Sequence, residues 1–447
     1  MLSSQLSRRN VLRVGVGLSG LGLSASFQSA ADAAAGSRAK SCIVIYCWGG
    51  VSHYESWDPK PDAPSDLRGE FASIATATPG IQFCEHIPLL AKHSDKLAII
   101  RSVHHNQSGH QQGMYVSLTG HQPTGGMKAK NANNWPSLAA LISRFRNPAE
   151  GTPGAIRVPY SMYDNGTLMA GEYGGWLGSD YDPILMRTPA GKPYAGVSRY
   201  TNRELDLKLY VKPERIVQRQ LLRERLERPV GVRAETERFN RFRNMAADML
   251  LSSPVKTAYN LDREDPRIRT MYGDHIGGQS MLLARRLIES GVPVVQVCAG
   301  AGDLAGGGGD NWDTHRGHFP KMKNRLLPVF DCSVSALLTD LEQRGMLEET
   351  LVIFLTDFGR TPKINNNGGR DHFPAVYSLM LAGGGIQGGQ TYGSSDPSGA
   401  RPASNPCSPG DVHATALRAM GINHRTELRD SLGRPFQICD GNPLPLL

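Results

Sequence analysis

Cys42-Ile43-Val44-Ile45-Tyr46-Cys47-Trp48-Gly49-Gly50 is a continuous apolar run that stops at two glycines. A run without polar alternation suits a strand covered on both faces, which is the situation of a strand inside a parallel sheet. Leu97 to Val103, Val292 to Val297, Leu351 to Thr356 and Val376 to Ala382 are further runs of this kind. Helical patterns lie between them. Gln279 to Ser290 reads as a helix closed by Gly291, and Leu326, Phe330, Val334, Leu337 and Leu341 recur at three- and four-residue spacing before Gly345. Helix, glycine, strand, twice over, is the signature of an α/β fold.

The composition agrees. Of 447 residues 40% are hydrophobic and 20% charged, enough apolar material for a core and too little charge for a disordered chain. Gly 50 and Pro 29 point to many ordered loops. Seven cysteines, an odd number with no Cys-x-x-Cys pair, suggest neither a zinc ribbon nor a dense disulfide framework. The Gly-rich segments 300–309 and 383–389 lack the Lys-Ser/Thr of a phosphate loop and the spacing of a dinucleotide fold.

At the N-terminus Ser7-Arg8-Arg9-Asn10-Val11-Leu12-Arg13 precedes an uncharged, Gly/Ser-rich stretch from Val14 to Ala31 and a small-residue segment. This reads as a twin-arginine export signal over residues 1–35, so the translocation machinery of that pathway is an expected partner and the mature chain is expected in the periplasm or otherwise exported. No integral membrane span is expected after cleavage. Losing residues 1–33 removes Arg8, Arg9, Arg13 and Asp32 and takes the net charge from +8 to about +6. A mildly basic protein favours polyanionic neighbours, but no motif points to nucleic acid. Residues 36–447 are expected to form one domain, with a helical insertion at about 200–255; within it, residues 203–243 hold ten Arg and two Lys against seven acids.

The chemistry-bearing residues gather just after the expected strands, where an open parallel sheet forms its ligand crevice. Ser52-His53-Tyr54-Glu55-Ser56-Trp57-Asp58 follows the first strand, and His53 with Glu55 offers an imidazole and a carboxylate for a divalent cation. Asp58-Pro59 is better read as the start of a turn. His104, His105 and His110 follow the second strand; three histidines in seven residues suit a metal or anion site better than packing. Asp313 and His315 stand two residues apart in Trp312-Asp313-Thr314-His315. Asp357 sits where a strand stops, followed by Arg360 and then Arg370-Asp371-His372. Arg360 and Arg370 are candidate holders of an oxyanion, or else partners of a nearby Asp. Mixed Asp/His ligation admits zinc, manganese or iron, and with more oxygen ligands magnesium or calcium. A cation and an anion subsite together imply hydrolysis of a phosphate or sulfate ester.

These motifs, with Ser117-Leu118-Thr119-Gly120, Phe358-Gly359-Arg360-Thr361-Pro362 and Gly369-Arg370-Asp371-His372-Phe373-Pro374, resemble the exported domain-of-unknown-function family 1501 over nearly the whole chain. That family is grouped with the alkaline-phosphatase-like superfamily, which includes the sulfatases. The resemblance implies an alkaline-phosphatase-like, mostly parallel sheet flanked by helices. It also implies that Asp357 matches a metal-binding Asp, with Phe358 where a His usually follows. His372 resembles the later metal-binding His, and Asp313 with His315 resembles an Asp/His pair from the preceding strand. Glu55 or Asp58 would stand in for the Asp usually delivered by the first strand. Asp411-Val-His-Ala-Thr-Ala-Leu is similar to the start of the C-terminal helix. Counting back from Leu118-Thr119-Gly120, His110 stands at the nucleophile position of sulfatases and Met114 where an Arg is usual.

The expectation is therefore a metal-dependent ester hydrolase acting on a phosphate or sulfate ester, of a small molecule or of a sulfated polysaccharide. In it Asp313, His315, Asp357, His372, Asp371, His53 and Glu55 are the candidate metal ligands. His110 and His105 serve metal or proton transfer, and Arg360 and Arg370 hold the oxyanion. The rivals are a non-catalytic periplasmic or cell-surface binding protein that keeps the fold, and a metal-storing or sensing module.

Overall fold

Every residue of Ser41–Cys47, strand β1, is buried, and the sheet is built outward from it. In the computed structural model, residues 39–123, 127–164, 166–186, 213–226, 254–299, 311–430 and 432–447 are described. The segment expected to be an export signal, most of the Arg-rich insertion and the 300–309 loop lie outside them. The other strands of the sheet are β2 (Leu97–Val103), β3 (Ala155–Val158), β4 (Ile184–Leu185), β5 (Val294–Cys298), β6 (Thr350–Thr356), β7 (Tyr377–Ala382) and β8 (Gln390–Tyr392). Their order is β8-β2-β7-β6-β1-β5-β3-β4.

β1 pairs in parallel with β6 on one side, Cys47 opposite Thr356, and with β5 on the other, Tyr46 opposite Cys298. β7 alone runs against its neighbours, β6 and β2. The reversal follows from the connection: the chain returns from β6 to β7 without a crossover helix, which only an antiparallel neighbour permits. The expected mostly parallel sheet flanked by helices is thus what the chain forms.

Among the described residues, helices α1 (His110–Thr119), α2 (Leu138–Phe145), α3 (Ile276–Glu289), α4 (Leu327–Gln343) and α5 (Pro409–Ala419) cover the sheet or its ends. α3 packs on α4 and on β5 and β1, while α1 and α5 pack on each other and on β6. Their ends follow from sequence. Ser408 and Asp411 form a reciprocal capping box at α5, with Pro409 in its first turn. The Ser137 hydroxyl accepts from the Ala140 N–H at 3.1 Å to start α2. Among the described residues no helix is long and apolar enough to cross a membrane.

Because β7 is reversed between two strands that agree, β1, β2, β5 and β6 all end at the same edge of the sheet. Trp48-Gly49 leaves β1 there, Asp357 leaves β6, and the chain from β2 runs through His105 to His110, the first residue of α1. The β6–β7 connection carries Arg360 and His372 back to this edge, paired across a two-residue antiparallel ladder. Gly49 is what lets these parts meet. Its φ is +113°, and a side chain there would collide with the Asp313 backbone and stand 2.8 Å from the Trp312 carbonyl carbon.

Candidate metal centre

His110, Asp313 and His372 bring one ligand atom each to a common place, all within 4.8 Å of one another. Each histidine is oriented by an oxygen that can only accept a hydrogen bond, so Nδ1 carries a proton. His110 Nδ1–H donates to Asp357 Oδ2 at 2.7 Å. His372 Nδ1–H donates to the Ser108 carbonyl at 2.7 Å. His315 Nδ1–H donates to Asp371 Oδ1 at 2.6 Å. All three imidazoles therefore turn Nε2 away from these anchors and toward Asp313. His110 Nε2 lies 3.4 Å from Asp313 Oδ2. His315 Nε2 and His372 Nε2 lie 3.1 and 3.3 Å from Asp313 Oδ1.

Two features of this cluster are costly unless a cation is shared. His315 Nε2 and His372 Nε2 are 2.9 Å apart, two nitrogens that can share one proton at most between them. His110 Nε2 is buried and makes no hydrogen bond. Three imidazole nitrogens and one carboxylate, each imidazole backed by an oxygen acceptor, form the donor set and supporting shell of a transition-metal site. The residues fit a divalent ion.

Electrostatics point the same way. Burial disfavours the imidazolium of His110, yet the adjacent carboxylates of Asp313 and Asp357 outweigh it and raise the pKa to about 9. Burial also works against the Asp313 carboxylate, but His110, His372 and the Arg360 cation hold it far below the usual range. Burial lowers His372, helped by the cations of Arg360 and His110. The cluster thus keeps its carboxylate charged and attracts positive charge.

Other expected site residues take different posts. Asp357 is fully buried with both oxygens occupied: Oδ1 accepts from the Tyr46 hydroxyl, and Oδ2 from His110 and from the Gly49 N–H at 3.1 Å. Asp371, expected as a ligand, holds His315. Arg360 is 0% exposed; it bonds Asp313 Oδ1 at 2.7 Å and the carbonyls of Gly49, Gly50 and Arg370. Arg370, also 0% exposed, bonds Glu55 Oε1 at 2.6 Å and the carbonyls of Leu67, Thr361 and Pro362. Neither guanidinium is available to an oxyanion: Arg360 pairs with an Asp, the alternative kept open for both, whereas Arg370 pairs with Glu55 instead. Glu55 lies apart from the cluster, closed in by Arg370 and by His318 Nε2 at 2.9 Å. His53 bonds the Gly399 carbonyl at 3.0 Å, and Asp58 bonds Lys60 and Ser395. His105 is saturated, Nε2–H donating to the Asp357 carbonyl at 2.7 Å and Nδ1 accepting from Gln107.

Tyr46 is the functional residue that the sequence did not single out. A tyrosine inside an apolar strand whose hydroxyl must find a partner was the available signal. Phe358, in place of a histidine, packs its ring 4.4 Å from that of His372 and 5.3 Å from that of His110. It walls the centre rather than binding in it. The seven cysteines are all free.

The buried histidines make a pH prediction. Burial lowers His53 and His413, each 1% exposed, to about 4. Between their ordinary value near 6.5 and 4 the unfolded chain binds protons that the folded chain refuses, so stability falls as pH drops through this window, by about 3 kcal/mol for each. His110 acts in the opposite sense in the metal-free chain: its raised pKa contributes stability below about 6.5 that is lost as pH rises to about 9. Urea unfolding of the metal-free chain from pH 5 to 9 is expected to give a maximum near pH 6.5; a flat profile would contradict it.

Residues 39–446 match the model of a family described as protein of unknown function (DUF1501). No curated protein matches the chain. Similar solved structures include Ps i-CgsB, at 11% identity and a TM-score of 0.43, covering 90% of this chain and 75% of that one. Others are the PsFucS1 sulfatase from Pseudoalteromonas sp., at 14% and 0.37 over 88% and 72%, and a protein in the alkaline phosphatase superfamily from Vibrio parahaemolyticus, at 10% and 0.37 over 86% and 67%. At such distances the chemistry of the centre is read from its own side chains.

Proposed function

The chain belongs to the DUF1501 family, and we propose that it is an exported, divalent-metal-dependent hydrolase of phosphate or sulfate esters, with sulfated polysaccharide as one substrate class. The observation that carries this is the convergence of three anchored Nε2 atoms on Asp313. A divalent ion held there supplies a Lewis acid for the ester oxygen and lowers the pKa of a water. His110, Asp313 and His372 are the ligands, with His315 completing the set at the rim. Three nitrogens to one carboxylate favour zinc, manganese or iron over calcium and magnesium, which prefer oxygen cages.

The chain's own residues set the direction of approach. His110 lies beneath, 8% exposed at its side chain, whereas His315 is 41% and His372 21% exposed. Substrate meets the centre from the His315 and His372 side. Trp48, whose ring centroid is 4.9 Å from that of His110, and Phe358 exclude water from the far side. Arg360 neutralises Asp313 and fixes its rotamer, so the carboxylate is already in place when an ion arrives.

The test is a panel of aryl phosphates, aryl sulfates and sulfated oligosaccharides, run on the natively exported chain with and without chelator. Ester cleavage that chelator abolishes and zinc or manganese restores is the expected result. Metal without cleavage of any ester would favour storage or sensing. No metal at all would favour the binding protein, to be assayed on acidic polysaccharides. Replacing Arg8 and Arg9 by Lys is expected to leave the precursor inside the cell; undiminished export would remove the twin-arginine assignment.

A further inference from the structure

Asp357 stands on the wrong side of His110 to be a ligand. The imidazole lies between it and the rest of the cluster: Nδ1 faces Asp357 Oδ2 at 2.7 Å, and Nε2 faces Asp313. Both carboxylate oxygens are already used, Oδ1 by the Tyr46 hydroxyl and Oδ2 by His110 and the Gly49 N–H. The backbone is tied too, since the Asp357 carbonyl accepts from His105 Nε2–H at 2.7 Å. Tyr46 and Asp357 are both 0% exposed. The order Tyr46, Asp357, His110, ion is that of a hydrogen-bonded carboxylate behind a metal-binding imidazole.

Resting on the metal reading of the cluster, we propose that Asp357 and Tyr46 are positioning residues that act on the metal ion through His110 without touching it. Asp357 holds the Nδ1 proton, which fixes the tautomer and ring orientation and makes Nε2 a stronger donor. Tyr46 holds Asp357 by its second oxygen, so the carboxylate cannot rotate toward the ion. Gly49 completes the clamp from the turn after β1. The strand-end acid is thereby a support, and His110, Asp313, His372 and His315 are left to hold the ion.

The experiment is a cobalt(II) titration of the metal-stripped, full mature chain and of Asp357→Asn, Tyr46→Phe and Asp313→Asn, against a competing chelator of known affinity. The visible ligand-field spectrum reports which atoms bind, and the competition reports how tightly. Asp357→Asn is expected to lose about 10- to 100-fold in affinity with the cobalt spectrum unchanged in band position. Tyr46→Phe, which removes one hydrogen bond outside the inner sphere, is expected to lose about fivefold, again with the same spectrum. Asp313→Asn, an inner-sphere change, is expected to shift the bands.

A shifted spectrum in Asp357→Asn would make Asp357 a ligand and overturn the proposal while leaving the metal reading intact. Unchanged affinity in both outer variants would overturn it as well. If Asp357→Asn fails to fold by circular dichroism, Tyr46→Phe decides alone, because its isosteric loss of a hydroxyl preserves packing. A wild-type chain that binds no cobalt overturns the metal reading, and this proposal with it.

Discussion

Replacing Asp313 by Ala is expected to abolish stoichiometric metal, taking the purified chain from about one equivalent to a trace by mass spectrometry. Asp313 is the only carboxylate turned into the cluster among the described residues, and both its oxygens are engaged there, Oδ1 within 3.3 Å of two imidazoles and Oδ2 facing the third. Its removal does more than delete a donor. Arg360, fully buried and bonded to Oδ1 at 2.7 Å, would lose its one directly bonded carboxylate and keep only the more distant Asp357 and Asp371. A cation beside the ligand atoms, at the effective dielectric of such sites, opposes the binding of a divalent ion. Loss of the ligand and the exposed repulsion act together. Asp313→Asn keeps the shape and separates folding from binding. One full equivalent retained in the folded Ala variant would remove Asp313 from the centre and, with it, the chemistry proposed for the chain.

The strands and the crevice were legible because they rest on local pattern. β2 was expected over Leu97 to Val103 and occupies those residues, and β6 extends the expected Leu351–Thr356 run by one. An apolar run bounded by glycine or a strand-end acid carries its own signal. The reversal of β7 is not local: it depends on how the connection after Asp357 folds back, which periodicity does not encode. The site shows the same division. Residue types at strand ends put His110, Asp313, His315 and His372 on the page, and the fold gathers them. What spacing does not give is which face of an imidazole meets which neighbour. Asp357 reads as a ligand from its strand end and from the resemblance, and Asp371 from its place beside His372; yet a carboxylate near an imidazole has two uses, binding the ion or holding the Nδ1 proton, and only the ring's orientation tells them apart. Glu55 and Arg370 were drawn to the site for a similar reason. Each is charged and near a strand end or a histidine, yet they are 315 residues apart in sequence, and their mutual pairing leaves no trace in either motif.

That pairing carries the second large effect. Glu55 and Arg370 are both 0% exposed and bonded through Glu55 Oε1 at 2.6 and 3.1 Å, with His318 on the other oxygen. Burial works against the Glu55 carboxylate, but Arg370 and then His318 outweigh it and hold its pKa at about 2. Burial lowers His318, so it gives Glu55 a hydrogen bond more than a charge. Substituting Arg370 by Met keeps the volume and leaves Glu55 as an uncompensated buried anion, which is expected to cost about 3–5 kcal/mol in urea unfolding. Glu55→Gln with Arg370→Met removes both charges and is expected to cost less than Arg370→Met alone, because the penalty belongs to the stranded ion rather than to a missing bond. Acid should do to the wild type what the substitution does. Since the folded pKa lies below the ordinary value near 4.5, the pair's contribution is present in full above 4.5 and is lost as pH falls toward 2. The sequence offered a competing use of Arg370, holding the substrate's oxyanion, and the two uses separate cleanly. A guanidinium that grips substrate leaves stability unchanged on removal and raises KM. One that neutralises Glu55 under Tyr54, whose ring it covers at 4.4 Å, lowers stability and leaves the metal stoichiometry of the folded chain as it was.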